Sequence, residues 1–280
     1  KITQFIQRAN WLESSHEEYV LSWWGKIVGG TFGFMMGGPL GAVMGAALGN
    51  YFDGGLEGIA LDDSLGIGAT ERVQSAFFTT TFAVMGYIAK SDGKVTRDEI
   101  ELAEQVMQRM HLTSEQRVLA INLFNEGKKE SFPLDDVLAQ FKREAVRRRN
   151  LVQMFLEILI STALADGSLH GDEERTLQHI AAQLNWRPEE FFHLLRMVSG
   201  QAQFGDIRVE SQKLDAAYEL LGVQESVTDQ ELKKSYRRLM NQHHPDKLVA
   251  KGLPEEMIDI ATQKTQDIKE AYELIKKHRS

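Results

Sequence analysis

Apolar residues recur at three- and four-residue spacing along most of the chain, with no long strand-type alternation. Phe77, Phe82, Met85 and Ile88 share one helical face, and Val152, Phe155, Leu156, Leu159 and Ile160 share another. Such periodicity predicts amphipathic helices that bury their apolar stripes against one another. From about Glu71 to Met197 the expected architecture is an all-α bundle with short turns.

The C-terminal stretch is punctuated more clearly. Leu214 to Val223 reads as a short helix stopped by Gly222. A polar turn, Gln224 to Val227, follows. Thr228 with Glu231 three residues on is a capping box, in which each side chain satisfies an orphan backbone N–H. The helix it starts is expected to reach about Gln242, with Leu232, Tyr236 and Leu239 facing inward. Pro245 cannot continue that helix and restricts the residue before it. A loop to about Pro254 is therefore expected, then a long helix from Met257 to His278 with Ile260, Ile268, Ala271 and Leu274 on its apolar stripe. Two antiparallel helices joined by a rigid polar loop is the implied geometry.

One segment departs from this pattern. Ile27 to Leu48 is 22 residues without a charge, and Thr31 is its only hydrogen-bonding side chain. A helix of that length spans about 30 Å, the hydrocarbon thickness of a bilayer. Trp23 and Trp24 precede it and Tyr51 and Phe52 follow it, placing aromatics at both interfaces. A retained transmembrane helix is expected; the competing assignment is a buried Gly-rich segment of a soluble domain. Gly29, Gly33, Gly37, Gly41, Gly45 and Gly49 stand every four residues. On a helix they form a groove that admits a second backbone, so self-association as a homodimer is expected. Pro39, in mid-run, limits how far a straight zipper extends.

Inside the middle block, Ala89-Lys-Ser-Asp92-Gly93 with Asp98-Glu99 resembles Ala163-Leu-Ala-Asp166-Gly167 with Asp172-Glu173. Asp-Gly supplies a turn, and the acidic pair then suits the positive end of the next helix. The same six carboxylates have a second reading as ligands for a divalent cation. The alternating ligand set of an EF-hand is missing, and no metal is expected. Arg147-Arg148-Arg149 marks a helix junction, either as a solvated helix end or as a contact for anionic lipid or a partner.

Composition narrows the function. The 280 residues are 42% hydrophobic and 26% charged, which is globular. Cysteine is absent, so disulfides, thiolate metal sites, iron–sulfur clusters and a Cys nucleophile are excluded. The net charge of −8 lies entirely outside residues 211–280, which hold 12 Lys/Arg against 12 Asp/Glu. A chain this acidic does not read as a nucleic-acid binder. His243, His244 and Asp246 have no third ligand, nucleophile motif or phosphate loop beside them, and Gly66-Ile67-Gly68 is too slight for a nucleotide site. An enzyme is not expected, and neither are catalytic residues or a cofactor. Lys233 with Arg237 and Lys234 with Arg238 are like-charged pairs one turn apart, mildly unfavourable in an isolated helix. Two such rows suggest a surface for an acidic partner, set against an ordinary solvated basic face.

Tyr218-Glu-Leu-Leu-Gly-Val, Glu231-Leu-Lys-Lys-Ser-Tyr-Arg-Arg-Leu, His244-Pro-Asp-Lys and Ile268-Lys-Glu-Ala-Tyr-Glu-Leu together resemble a J-domain. The middle block resembles the TerB-like helical domain. The order of span, TerB-like block and terminal J-domain is similar to the membrane-anchored DnaJ-like co-chaperones of bacteria, over about residue 23 to the end. That resemblance implies a co-chaperone that binds a DnaK-type ATPase chaperone, stimulates its ATP hydrolysis and couples it to client proteins at the inner membrane, with links to the stress response. It implies that His244, Pro245 and Asp246 form the stimulating loop, and that Lys233, Tyr236, Arg237 and Arg238 lie on the docking helix. The alternative is a membrane scaffold or signalling regulator whose acidic helical block is the main working part. The positive-inside rule, applied to Lys1, Arg8 and Lys26, places the N-terminus in the cytoplasm. The resemblance instead places the C-terminal domains there. Single-pass topology with cytoplasmic C-terminal domains is the expectation adopted. The expected organisation is an extension of unknown role at 1–22, a transmembrane segment at 23–52, a linker at 53–70, a TerB-like domain at 71–197, a linker at 198–210 and a J-domain at 211–280.

Overall fold

The computed structural model describes residues 37–52, 68–90, 112–164, 169–206 and 210–279, together with Met107, and all regular structure among them is helical. A helical block comprises α1 (Gly38–Phe52), α2 (Ala69–Ala89), α3 (Ser114–Gly127), α4 (Leu134–Glu144), α5 (Arg149–Ala163), α6 (Gly171–Gln183) and α7 (Pro188–Asp206). The C-terminal part follows as α8 (Glu210–Leu220), α9 (Asp229–His243), α10 (Pro245–Val249), a 3₁₀ turn at Glu255–Met257 and α11 (Ile258–Arg279).

Helix α2 is the axis of the block. Val73 to Met85 are buried without interruption, so the helix is covered on every side and not along one stripe. Phe77 meets Phe141 of α4 at 6.1 Å and Phe155 of α5 at 6.3 Å, both edge-on. Phe141 and Phe155 are themselves 4.8 Å apart. Helix α5 is also buried all round from Leu151 to Ile160. Two glycines bring α2 and α3 together. A Cβ on Gly86 would stand 2.0 Å from the Phe124 carbonyl oxygen, and one on Gly127 would stand 1.7 Å from that of Ala83. Neither contact is tolerable, so only glycine permits this backbone approach. Gly86→Ala is expected to cost at least about 1–3 kcal/mol, the usual penalty for forcing an extra group into a packed core. Equilibrium denaturation checks this.

The uncharged run is not one uninterrupted helix. Gly37 and Gly38 have φ +57° and +62°, a left-handed turn open to glycine, and α1 begins at Gly38 with Pro39 in its first turn. Proline is tolerated there because its missing N–H would have no helical partner anyway. Gln140 of α4 fixes the turn from outside, since its amide donates to the Gly37 carbonyl at 3.0 Å and its Oε1 accepts from the Leu40 N–H at 2.9 Å. Leu40, Val43, Met44 and Ala47 are buried in the core of the block. Among the described residues, Gly37, Gly41 and Gly45 therefore do not share one straight exposed groove. Gly37 is in the turn, Gly41 is buried and Gly45 is exposed within α1, which also contains Gly49, while Gly29 and Gly33 lie outside the described residues. No helix among the described residues is long and apolar enough to cross a membrane.

Two further expectations change. Residues 198–206, expected as linker, continue α7, and Phe204 joins Met197 in the core of the C-terminal part. The loop expected after Pro245 is a helix, α10, because the proline that ends α9 also opens a new first turn. The C-terminal part is otherwise as the pattern suggests. Leu232, Leu239, Ile268, Ala271 and Ile275 are buried between α9 and α11, and Tyr236 stacks on Tyr272 at 4.3 Å. Leu248, Leu253, Met257 and Ala261 instead enter the core of the helical block. Gly252, at φ +93°, lies where a Cβ would stand 2.7 Å from Val73 of α2. The two parts are thus packed together across a shared apolar contact.

Candidate functional site

The site grows from the end of α9. Thr228 accepts from the Glu231 N–H at 3.3 Å and Glu231 accepts from the Thr228 N–H at 3.2 Å, so the capping box fixes where the helix starts. Those contacts, led by the Thr228 side chain, hold the Glu231 carboxyl below the usual carboxylate range. From that start, Leu232, Ser235 and Leu239 fall on the inner face. Lys233, Lys234, Arg237 and Arg238 fall outward and are exposed, while Tyr236 is half-buried.

At the far end, His243 and His244 are adjacent but face opposite ways. The His244 carbonyl accepts from the N–H groups of Lys247 and Leu248, both at 3.1 Å, so the turn is held by backbone bonds. The His244 side chain is 47% exposed and that of Asp246 is 90% exposed, with 3.9 Å between Nδ1 and Oδ2. Lys247 donates to Asn241 across the turn. Asp246 is thus displayed at the tip, with the exposed cations of α9 on the preceding helix.

His243 points inward, to a site that sequence reasoning missed. Its Nε2 lies 2.9 Å and 3.0 Å from the two carboxylate oxygens of Glu157 on α5, and its Nδ1 lies 3.0 Å from the Leu239 carbonyl. Both ring nitrogens thus lie within hydrogen-bond distance of oxygen atoms. Lys264 Nζ of α11 is 3.3 Å from Glu157 Oε2, and Gln153 Nε2 donates to Oε1 at 2.9 Å. Lys264 also donates to Gln201 of α7. The side chains of Glu157, His243 and Lys264 are all under 10% exposed. Burial raises the Glu157 carboxyl pKa, but attraction to His243 and Lys264, with the bonds from His243 and Gln153, outweighs it and holds the group far below the usual range. A charged cluster therefore joins α5 to α9 and α11, immediately before His244. Its signals in the sequence are a glutamate inside the apolar run of α5 and a lysine on the Ala261–Ile268–Ala271 stripe of α11.

The acidic turns divide. Asp92, Gly93, Asp98, Glu99, Asp166 and Gly167 lie outside the described residues. Asp172 pairs with Arg175, and Glu173 accepts from the His170 N–H at 3.0 Å as the cap of α6. Among the described residues no group of three His, Asp or Glu side chains forms a cation site. A cleft of about 490 Å³ lies between the end of α2, the α3–α4 turn and α6. Its cations Lys90, Lys129 and Arg175 face Glu130, Glu126 and Asp172, and His179 lies 2.6 Å from Asp135, so the charges there are internally matched.

Comparison with known proteins agrees with this arrangement. Residues 21–59 match the family model of the co-chaperone DjlA transmembrane domain, 79–196 that of tellurite resistance protein TerB, and 216–280 that of the DnaJ domain. The co-chaperone protein DjlA of Photobacterium profundum is 42% identical over 273 residues, covering 91% of this chain and 99% of its own length. That of Vibrio cholerae is 43% identical over 281 residues, covering 91% and 98%. That of Escherichia coli is 44% identical over 218 residues, covering 74% and 80%. No solved structure gives a significant match. With all three parts in the same order and two relatives matched almost end to end, the chain belongs to the DjlA family of co-chaperones, in which a transmembrane domain, a TerB domain and a J-domain share one polypeptide.

Proposed function

We propose that this chain is a single-pass inner-membrane co-chaperone whose α9 and His244-Pro245-Asp246 turn bind a DnaK-type chaperone and stimulate its ATP hydrolysis. The supporting observation is the division of labour around Pro245. His243, Leu239 and Leu248 face inward and are buried, whereas Asp246 and the cations of α9 face outward. Exposed charges of this kind are accessible to a partner. Lys233, Arg237 and Arg238 steer an acidic surface toward the turn. Asp246 then pairs with a cation of that partner, and Tyr236, stacked on Tyr272, holds the docking helix on α11. The partner consumes ATP, so the C-terminal domains are placed in the cytoplasm and the N-terminus outside, against the charge bias of Lys1, Arg8 and Lys26. The test is single-turnover ATP hydrolysis by a DnaK-type chaperone with the full chain in vesicles. Acceleration supports the proposal, and an unchanged rate rejects it. Digestion of the C-terminal part by external protease in intact spheroplasts rejects the orientation.

Self-association belongs to the same proposal, with a narrower surface than the sequence implied. A Cβ on Gly45 would meet nothing within 4 Å, so Gly45 is an open position on α1. Gly45→Leu is expected to weaken dimerisation in vesicles, measured by energy transfer between labelled copies, without disturbing the block. Gly37→Leu is a poor probe because its φ of +57° adds strain. Undiminished transfer for Gly45→Leu removes the packing role of the stripe at this position.

A further inference from the structure

We propose that the chaperone-docking surface crosses the junction between the two parts, extending from α9 onto the helical block over Arg147 and Arg149 at the start of α5 and Phe192 and Arg196 of α7. This rests on the reading of α9 as the docking helix and adds a second half to it.

One contact joins the start of α5 to α9, and a second sets α7 against the end of α8, where Ser235 of α9 donates to the Leu221 carbonyl. Asn150, next to Arg149, donates its side-chain N–H to the carbonyl of Gln242, two residues before His244. The Arg147–Arg149 cluster therefore sits at the same end of α9 as the Asp246 turn. On the other side, the ring of His193 in α7 lies 2.7 Å from where a Cβ on Gly222 would stand. Arg196 is one turn further along α7, and burial together with the nearby charges of Arg238 and Arg196 lowers the His193 pKa. Arg149 ties the two flanks together. It pairs with Glu190 of α7 at 2.8 Å and stacks over Trp186 at 5.0 Å.

The chemistry of the band fits an acidic protein surface. Outside residues 211–280 the chain is acidic, yet Arg147 and Arg196 are exposed cations facing solvent at this junction. Glu190, the partner of Arg149 at this junction, is already matched: hydrogen bonds from the Arg187 backbone and guanidinium, then from Arg149, hold its carboxyl down at about 2. Each free cation also has an apolar companion. Val146 is 57% exposed beside Arg147, and Phe192 is 38% exposed one turn from Arg196. Exposed aromatic and arginine side chains set side by side are the composition of energetic anchors at protein interfaces. A bare lipid headgroup would use the arginines and leave Phe192 without a role. The occupant is therefore taken to be the same chaperone that α9 engages.

The test measures association of an ATP-loaded DnaK-type chaperone with the full chain in neutral and in anionic vesicles, between 50 and 300 mM salt. Arg196→Glu combined with Arg147→Asn is used, because asparagine accepts the φ of +61° at position 147. A second variant, Phe192→Ala, keeps every charge. The double variant is expected to lower the association rate about tenfold at low salt and flatten its salt dependence, as for rim charges that steer encounter. Phe192→Ala is expected to speed dissociation instead. Normal kinetics for both variants, with binding still lost on Lys233→Glu/Arg237→Glu, would confine the surface to the J-domain and overturn the extension. A loss seen only with anionic vesicles assigns the cluster to lipid and also overturns it. Absence of binding by the unsubstituted chain would reject the docking reading itself, a distinguishable outcome.

Discussion

Asn in place of Asp246 is expected to abolish stimulation of the chaperone's ATP hydrolysis while leaving the protein folded. The carboxylate is 90% exposed, and the Nδ1 of the neighbouring His244 ring is 3.9 Å away. No buried atom depends on it. Its one structural contribution is to the first turn of α10, where a negative charge stabilises a helix by about 0.3–1 kcal/mol. A change of that size shifts the melting temperature by a few degrees at most. At a protein interface the same carboxylate does more, because a hydrogen bond to a charged group contributes about 1.5–3 kcal/mol, or roughly 10- to 100-fold in affinity. His244→Gln is expected to follow the same course, since the turn is held by the His244 carbonyl and not by its ring. Leu239→Ala is the contrasting control. It empties a site that is 1% exposed and is expected to cost about 2–5 kcal/mol. The measurement is single-turnover hydrolysis beside thermal melts of each full-length variant. Wild-type stimulation by a normally folded Asp246→Asn protein would sink the mechanism.

The parts of this fold that were legible in the sequence are those whose cause is local. Thr228 with Glu231 marks the start of α9, and Gly222, at φ +65°, marks the stop of α8. Periodicity located the buried faces of α9 and α11. The illegible parts depend on residues far away in sequence. The break at Gly37 and Gly38 is fixed by Gln140, about a hundred residues later. The crossing of α2 and α3 depends on a glycine in each helix, and neither glycine alone announces a partner. The motif locates the Asp246 turn but does not reveal its helical form, because a proline after a helix signals the end of one element while its fixed φ also suits the start of another. Adjacency in sequence likewise pairs His243 with His244, which the fold separates. Neighbouring residues at a helix end point about 100° apart, so one serves the surface and the other the core.

Removing the carboxylate of Glu157 is expected to uncouple the two parts of the molecule. In Glu157→Ala, Lys264 remains buried with no opposite charge and His243 loses its carboxylate partner, and breaking a buried ion pair from one side costs about 3–5 kcal/mol. Glu157→Gln keeps the shape but turns an amide NH₂ toward donors, so it recovers little. Because the cluster joins α5 to α9 and α11, the loss falls on their docking. The expected signature is a lowered first denaturation transition, with faster amide exchange at Asn150 and Gln242. Replacing all three charged residues together, as Glu157→Leu, His243→Phe and Lys264→Met, is expected to recover most of the loss, because an apolar cluster carries no desolvation cost. Failure of that triple variant to recover would mean that the site is specified by its hydrogen bonds, and not by compensation of charge. The pH dependence has a definite sign. The Glu157 carboxyl is held far below its unfolded value of about 4.3, so its contribution is fully present above that pH. It is lost progressively as the pH falls from there toward the folded value. Docking is therefore expected to stay constant, as far as Glu157 is concerned, from pH 7 to about 5 and to weaken only in stronger acid. Amide exchange at Gln242 across that range is the measurement, and weakening that begins near pH 6 would assign the titration to a different group.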